Sequence, residues 1–429
     1  MNLDGKKLLI LGGNAKSADI VEAARKEGVY TIVTDWYDTK RSPAKLVADE
    51  YWNEEVFRPD LLAKLVEKHH IDGIITGFTD SYLLQYCKLC ELTGLPCYAT
   101  EEIFKTTLDK SLFKQLCRKC GVPTVPEYEL ESFDPNIISE NFKVIIKPVD
   151  NSGSRGIKVC TRAEDFQSCV DYALSFSEKK KIIIERYIEM DCISMCYTIQ
   201  DGVVSLSSID DRYVHIGPNA GAVSAASVYP SRYIDNYMRD MNQKVCKMYE
   251  HLGAKNGVLS LQAFTDGNVY YFYEMGYRLT GGRHYIYTEY ENNSNAVKQL
   301  VHFALTGCMA DYSIAERDNP YFKDYCCRLF ILGKHAEIAK MDGEEYLYSI
   351  PECIEAQVYK HEGDMIGEDG TTMQHIAMVS HDFYTGKKRA FSHIYEQRIV
   401  LFFSKSFVRS KAYYIVGSQS GSQSYLTLC

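Results

Sequence analysis

The chain has 429 residues, 46% hydrophobic and 24% charged, with a formal net charge of −9. That length exceeds one simple core and implies about two to four domains, and the modest negative charge excludes a general nucleic-acid binder. No run approaches the roughly 18 apolar residues of a membrane span, and Met1-Asn2-Leu3-Asp4-Gly5-Lys6-Lys7 lacks the apolar core of a signal peptide, so a cytoplasmic protein is expected.

From residue 6 to 100 strand and helix patterns alternate. Lys7 to Leu11 reads as a strand running into Gly12-Gly13-Asn14, Ser17 to Lys26 as a helix, and Tyr30 to Thr34 as a strand ending at Asp35. Leu61 to Glu67 and Ser81 to Leu92 are helical patterns around a strand at Gly73 to Thr76. Such alternation predicts a parallel, doubly wound sheet. Gly12-Gly13 stands where a dinucleotide fold holds phosphate, but the full G-x-G-x-x-G is absent, so this module is read as substrate-side.

A helix follows from Thr107 to Lys119, closed by Gly121-Val122-Pro123. Then Val144-Ile145-Ile146 forms a buried strand that exits through Lys147-Pro148-Val149-Asp150-Asn151-Ser152-Gly153-Ser154-Arg155-Gly156. Glycines let backbone N–H groups turn toward phosphate oxygens, serines add donors, and Lys147 adds a cation. No Gly-Lys-Ser/Thr triplet follows, so a fold other than the P-loop is implied. Further on come a strand from Ile157 to Cys160, a helix from Ala163 to Phe176, and a strand Ile182-Ile183-Ile184 ending in Glu185-Arg186-Tyr187-Ile188. Strands are predicted near Ser194 to Ile199 and Val203 to Ile209, then a helix over Ile234 to Leu252 and two strands, Gly257 to Phe264 and Val269 to Glu274. Mixed elements continue beyond 325, with strands near Cys327 to Leu332 and Ile354 to Tyr359. Gln397 to Cys429 carries no Asp or Glu and many serines; it is read as an atypical tail without assigned function.

Fifteen scattered cysteines read as reduced core residues. Cys87-x-x-Cys90 and Cys117-x-x-Cys120 have zinc-like spacing, yet both lie in helical patterns, where residues three apart share a packing face.

Four features recur in one order: Asp109-Lys110 opening a helix, the Lys147 loop, Glu185-Arg186-Tyr187-Ile188, and Glu274-Met275-Gly276-Tyr277-Arg278. In that order the chain resembles the ATP-grasp superfamily, which includes biotin carboxylase, the carbamoyl-phosphate synthetase large subunit and D-alanine–D-alanine ligase. The resemblance covers roughly residues 1 to 340 and implies an α/β protein, α+β in its nucleotide lobes. An ATP-grasp fold would follow a Rossmann-like parallel-sheet domain. The expected spans are 1–105 for that domain, 106–310 for the ATP-grasp domain with its lobe boundary near 186, 311–396 for a C-terminal part, and 397–429 for the tail.

The resemblance also implies roles. Lys110 and Lys147 would contact ATP phosphates; Ser152, Gly153, Ser154, Arg155 and Gly156 would cover them. Glu185 would accept the adenine amino group, and the backbone of Tyr187 and Ile188 would read the ring edge. Asp191 would take the ribose hydroxyls, because Cys192 stands where the family has an acid. Gln262 and Glu274 would hold magnesium, with manganese as the alternative ion, while Gly276 replaces a usual Asn ligand and puts a second ion in doubt. Arg278 would face the transferred phosphoryl group, and Arg283, after Gly281-Gly282, would clamp a substrate carboxylate. His284, and Arg212 with His215 before Gly217-Pro218, are further candidates near the substrate.

The expected activity is an ATP-dependent ligase for small carboxylate and amine substrates, with no nucleic-acid or membrane partner and a homodimer left open. A bicarbonate- or carbamate-phosphorylating enzyme is the alternative, and a catalytically impaired ATP-binding module is a third. At 429 residues there is no second ATP-grasp half, no glutaminase and no biotin-carrier motif, which weighs against a complete carbamoyl-phosphate synthetase and against a carboxylase carrying its own biotin.

Overall fold

Short β-branched and leucine-rich runs supply the first sheet. In the computed structural model, β1 (Lys7–Leu11), β2 (Tyr30–Thr34), β3 (Glu50–Trp52) and β4 (Gly73–Thr76) pair in parallel in the order β3-β2-β1-β4. The structure describes residues 2–149, 156–216, 222–334, 336–342, 353–366, 373–383, 400–403, 415–417 and 426–428. Helices α1 (Ser17–Lys26), α2 (Pro59–His69) and α3 (Leu83–Thr93) alternate with these strands, as the periodicity predicts.

The helix expected over 107–119 is two helices. α4 (Glu101–Leu108) stops at Asp109, whose backbone is extended and whose carboxylate accepts from the N–H groups of Ser111 and Leu112, at 2.8 and 3.0 Å. That cap starts α5 (Lys110–Lys119), so Lys110 is its first residue.

Next along the chain, β5 (Glu127–Tyr128), β6 (Val144–Pro148), β7 (Lys158–Cys160), α6 (Phe166–Ser175) and β8 (Ile182–Arg186) follow. Their four strands form a sheet in the order β5-β8-β6-β7. α6 covers it with Phe166, Cys169, Val170 and Ala173 against Val144, Ile146 and Ile184.

Longer antiparallel strands come after: β9 (Asp191–Gln200), β10 (Val203–Ile216), β11 (Ala222–Tyr229), then α7 (Ile234–Tyr237), α8 (Gln243–Leu252), β12 (Gly257–Thr265) and β13 (Tyr270–Gly276). The single helix expected over 234–252 is interrupted by a π-turn at Met238–Asn242. A π-turn aligns residues five apart. Tyr237 and Asn242 have that spacing, and both reach the Tyr197 hydroxyl, at 2.6 and 2.8 Å. α9 (Tyr285–Asn292) and α10 (Ala296–Thr306) precede β14 (Tyr325–Lys334), β15 (Ala336–Asp342), β16 (Cys353–Val358), β17 (Met365–Ile366) and β18 (Met373–Phe383).

Packing divides the chain into two units that are discontinuous in sequence, unlike the contiguous spans expected. The first comprises residues 1–124, 193–209 and 232–322. It holds the parallel sheet and the antiparallel run β13-β12-β9-β10, with α4 and α5 packed on β13 and α10 on β4. Its core includes an aromatic cluster of Tyr86, Tyr98, Phe104, Tyr277 and Phe303. The second unit comprises 125–192, 210–231 and the part from 323 onward, with the β5-β8-β6-β7 sheet and the run β11-β14-β18-β16. The C-terminal tail contributes only 400–403, 415–417 and 426–428 to the described residues. Among the described residues no helix is long and apolar enough to cross a membrane.

Candidate functional site

In the second unit, register decides which charged groups meet. Lys147 sits opposite Ile183 and Glu185 opposite Ile145 on antiparallel β6 and β8. Residues two apart share a face of a strand, so Lys147 and Glu185 are diagonal neighbours on one face. Their side chains form an ion pair with Nζ and Oε2 2.5 Å apart, at 10% and 3% exposure. The sequence reading sent these residues to opposite ends of a nucleotide. In the structure Glu185 also holds the Lys147 ammonium at the strand end.

Ser152, Gly153, Ser154 and Arg155 lie outside the described residues. Gly156, which ends that loop, has φ +76°, and a Cβ there would come within 2.5 Å of the Phe176 Cβ and 3.1 Å of the Pro148 Cγ. Only glycine fits that backbone beside the Lys147 strand. After β8, Tyr187 donates its N–H to the Lys143 carbonyl at 3.0 Å. That N–H is committed, which leaves the Tyr187 carbonyl and the Ile188 backbone for the ring edge expected there. Arg186 lies over the Phe142 ring at 4.0 Å and donates to the Asn141 carbonyl at 2.6 Å, which fastens the segment further. Asp191 opens β9 and is half-buried. Arg212 is on β10 within the second unit; the His215 side chain and Gly217-Pro218 lie outside the described residues.

The first unit holds the remaining candidates. Gln262 on β12 is directly opposite Glu274 on β13. Glu274 is exposed, and the Gln262 Oε1 accepts from the Tyr273 hydroxyl at 2.8 Å. Two residues on, Gly276 pairs with Ser260, whose Oγ would be 3.2 Å from a Cβ at 276. Among the described residues no group of three or more His, Cys, Asp or Glu is arranged to hold a metal ion. One carboxylate beside one amide oxygen is a hard-oxygen set. It fits magnesium that takes its other ligands from phosphates and water, rather than an ion caged by protein alone.

Beyond β13 the chain carries two arginines, each met by an aspartate from the N-terminal module. Arg278 donates through Nε and Nη2 to the two Asp80 oxygens, at 2.6 and 2.5 Å, and through Nη1 to the Leu279 carbonyl at 2.9 Å. Burial works against the Arg278 charge, but the hydrogen bonds and charge of Asp80 outweigh it and hold the proton more firmly. Arg283 donates through Nε and Nη2 to Asp19 at 2.8 and 2.7 Å, and the Tyr285 hydroxyl closes on the same carboxylate. The Arg283 and Asp19 side chains are 4% and 14% exposed. Arg283, expected to clamp a substrate carboxylate, has its Nε and Nη2 edge taken by Asp19 from α1, in a pair nearly closed to solvent. His284 is likewise buried and shares a hydrogen bond through Nδ1 with Thr280 Oγ1 at 3.2 Å. Lys110 is half-buried at the start of α5.

Elsewhere in this unit, Gly13 donates its N–H to the Asp35 carboxylate at 2.9 Å, and the Ser42 hydroxyl donates to the same oxygen. The first strand-to-helix turn thus spends on Asp35 a donor that a phosphate would need. The cysteines with zinc-like spacing pack instead: Cys90 donates to the Pro96 carbonyl at 3.4 Å, and the Cys117 sulfur is 3.7 Å from that of Met248.

Asp80 and Asp19 escaped the sequence reading. Asp80 follows β4 by four residues, and a carboxylate beyond the C-terminal end of a parallel strand was the signal available. Asp19, inside an amphipathic helix, gave none.

Comparison with known proteins places these residues in context. Residues 109–284 match the family model of the carbamoyl-phosphate synthase L chain, ATP binding domain. The carbamoyl phosphate synthase large chain of Pyrococcus furiosus is 24% identical over 315 residues, 65% of this chain and 29% of that one. The chain spans under a third of that relative's length and about half, 49%, of other curated relatives it matches. Among solved structures, an L-amino acid ligase from Bacillus licheniformis superposes with TM-score 0.76 at 15% identity, covering 94% of this chain and 100% of that one. The biotin carboxylase domain of a Hydrogenobacter thermophilus 2-oxoglutarate carboxylase, in complex with MgADP, ADP and bicarbonate, gives 0.72 at 17% identity, covering 93% of this chain and 90% of that one.

Proposed function

We propose that this chain, which belongs to the ATP-grasp superfamily, is an ATP- and magnesium-dependent ligase that joins a carboxylate to an amine. The observation that carries the reading is the end of β13: Glu274 opposite Gln262 on the neighbouring strand, and four residues on an arginine whose charge is fixed by Asp80. Strand pairing brings those two oxygen groups together and the same chain segment carries the cation, an arrangement suited to phosphoryl transfer by a protein that mainly positions and neutralises charge.

In the proposed sequence a substrate carboxylate oxygen attacks the γ-phosphorus of ATP in line, and the bond to the bridging oxygen breaks to release ADP. The acyl phosphate formed is attacked at its carbonyl carbon by the amine, which loses a proton as phosphate leaves. Lys147, held by Glu185, and Lys110 neutralise phosphate oxygens; Ile188 donates its N–H to the adenine edge, and Asp191 accepts from the ribose. Magnesium, when bound, would supply charge neutralisation for the phosphates. Glu274 and Gln262 are the residues to hold it. Arg278 stabilises charge on the transferred phosphoryl group.

The test is ADP release from MgATP with pooled amino acids, compared with MgATP alone. Stimulation by the pool, with stoichiometric amide product, supports the ligase. The match to the synthase ATP-binding domain favours a second reading, phosphorylation of bicarbonate or carbamate. Stimulation by bicarbonate without any amine would select it. No stimulation by either, with tight ATP binding, would leave a binding module.

A further inference from the structure

The guanidinium of Arg278 has five N–H groups in one plane. Two, on Nε and Nη2, point at the Asp80 oxygens, at 2.6 and 2.5 Å, and one on Nη1 points at the Leu279 carbonyl, at 2.9 Å. One N–H on each terminal nitrogen is not used by these three bonds. The Arg278 side chain is 20% exposed and that of Asp80 44%, so the pair stands at a surface, not in a core. The backbone on both sides is tied into regular structure. Asp80 begins a 3-10 turn four residues after β4, and Tyr277, adjacent to Arg278, is buried with its carbonyl accepting from the Tyr98 hydroxyl at 3.0 Å.

We propose that Asp80 is a positioning residue for Arg278: by occupying the Nε and Nη2 edge it turns the two remaining terminal N–H groups outward as a fork for an oxyanion, a carboxylate or an acyl phosphate. This rests on the reading of Arg278 as the phosphoryl-facing arginine. Without Asp80, the long arginine side chain would sample several rotamers, and a bound oxyanion would have to order it. With Asp80 the cation is ordered in advance, and its charge toward the ligand is only partly offset because the Asp80 carboxylate is itself hydrated. Asp80 touches no reacting atom.

The experiment follows the Arg278 guanidinium directly in protein labelled with ¹⁵N-arginine, its Nε–H signal identified by its loss in Arg278→Lys. Inorganic phosphate is titrated in one arm and acetate in the other. In the wild type both anions should move the Arg278 signal, and Asp80→Asn should weaken the apparent affinity about tenfold, since an amide offers one acceptor where the carboxylate offers two charged ones. Asp80→Glu, which keeps both oxygens, should recover most of that loss. In the ADP-release assay Asp80→Asn should lower kcat while KM for ATP stays put. Equal phosphate affinity in Asp80→Asn and wild type overturns the proposal. Tighter binding in Asp80→Asn overturns it differently, making Asp80 a competitor for the fork, and a wild-type signal that neither anion moves shows that the fork takes no oxyanion. If Asp80→Asn fails to fold, Asp80→Glu decides alone: affinity within about threefold of wild type is expected, and a loss of about tenfold or more refutes the idea. A failed ligase reading looks different, with no substrate-stimulated ADP release while phosphate still shifts Arg278.

Discussion

The two ends of the segment from Gly276 to Tyr285 solve the same electrostatic problem in opposite ways. At one end Arg278 meets Asp80 with both side chains partly in water; at the other Arg283 meets Asp19 with both nearly shut off from it. Each pair is bidentate, and each aspartate comes from the N-terminal module, so geometry alone does not separate them. Solvent does. A hydrated pair contributes little to stability and leaves its cation available, whereas a buried pair is a fastening whose loss strands a charge. Arg283 also adopts φ +49°, uncommon for a residue with a side chain, and that turn holds together with its ion pair. Five residues of sequence thus separate an arginine paired at the surface, which we propose acts on phosphate, from one paired in the interior.

The sharpest break of this contrast is Arg283→Ala. It leaves Asp19 and the Tyr285 hydroxyl facing each other without the cation, and the expected loss is about 3–5 kcal/mol of unfolding free energy, read from denaturant midpoints. Arg283→Lys should lose part of that, because an ammonium cannot reproduce the fork, and its KM for any carboxylate substrate should stay at the wild-type value. A raised KM with unchanged stability would return Arg283 to the substrate. At the other end Arg278→Ala should behave in reverse. Turnover should fall ~100-fold or more, the scale of a lost transition-state donor. The unfolding free energy should change by no more than about 1 kcal/mol, since the Asp80 left behind is hydrated. Wild-type turnover in Arg278→Ala would make it the structural partner after all.

Lys147 and Glu185 combine both behaviours, being buried like the Arg283 pair yet assigned to nucleotide like Arg278. Lys147→Ala should weaken ATP binding by roughly 1.5–3 kcal/mol in calorimetry and also destabilise the second unit, because Glu185 is left buried without its cation. Adding Glu185→Gln should recover stability but not affinity. Recovery of both would mean that the pair serves only the fold.

Much of this architecture was legible in sequence, and the limits have physical causes. Leu8 to Leu11 and Thr31 to Thr34 form buried strands because their pattern is continuous and β-branched or leucine-rich, so both edges of the prediction hold. Lys147 and Glu185 were each singled out, but their pairing depends on register between β6 and β8, which no local pattern encodes. The π-turn at Met238–Asn242 was missed because the apolar period runs through it and only Tyr197, on a distant strand, selects the five-residue spacing. The break at Asp109 was half visible: an acid before Lys110 marks a helix start, yet Thr107 and Leu108 read equally well as part of the same helix. Asp19 and Asp80 had the composition of ordinary solvated acids, and only the fold makes them the partners of the two arginines.

The smallest expected effect lies at the strand end from which both arginines depart. Gly276 stands two residues past Glu274, on the same face of β13, where a side-chain oxygen would join the Gln262 and Glu274 pair. An added Cβ would lie 3.2 Å from the Ser260 Oγ, a contact that a rotating hydroxyl can relieve. Gly276→Asn should therefore fold with a change of about 0.5 kcal/mol or less. If the glycine costs a ligand, the variant should need several-fold less magnesium for half-maximal ADP release, because a third hard oxygen replaces a water. Its phosphate affinity, followed on the Arg278 signal in the absence of metal, should match the wild type. A gain in magnesium affinity with the arginine unmoved would separate metal binding from the arginine fork along one strand. No gain would show that the pair of ligands already present is sufficient and that Gly276 serves the close approach of Ser260.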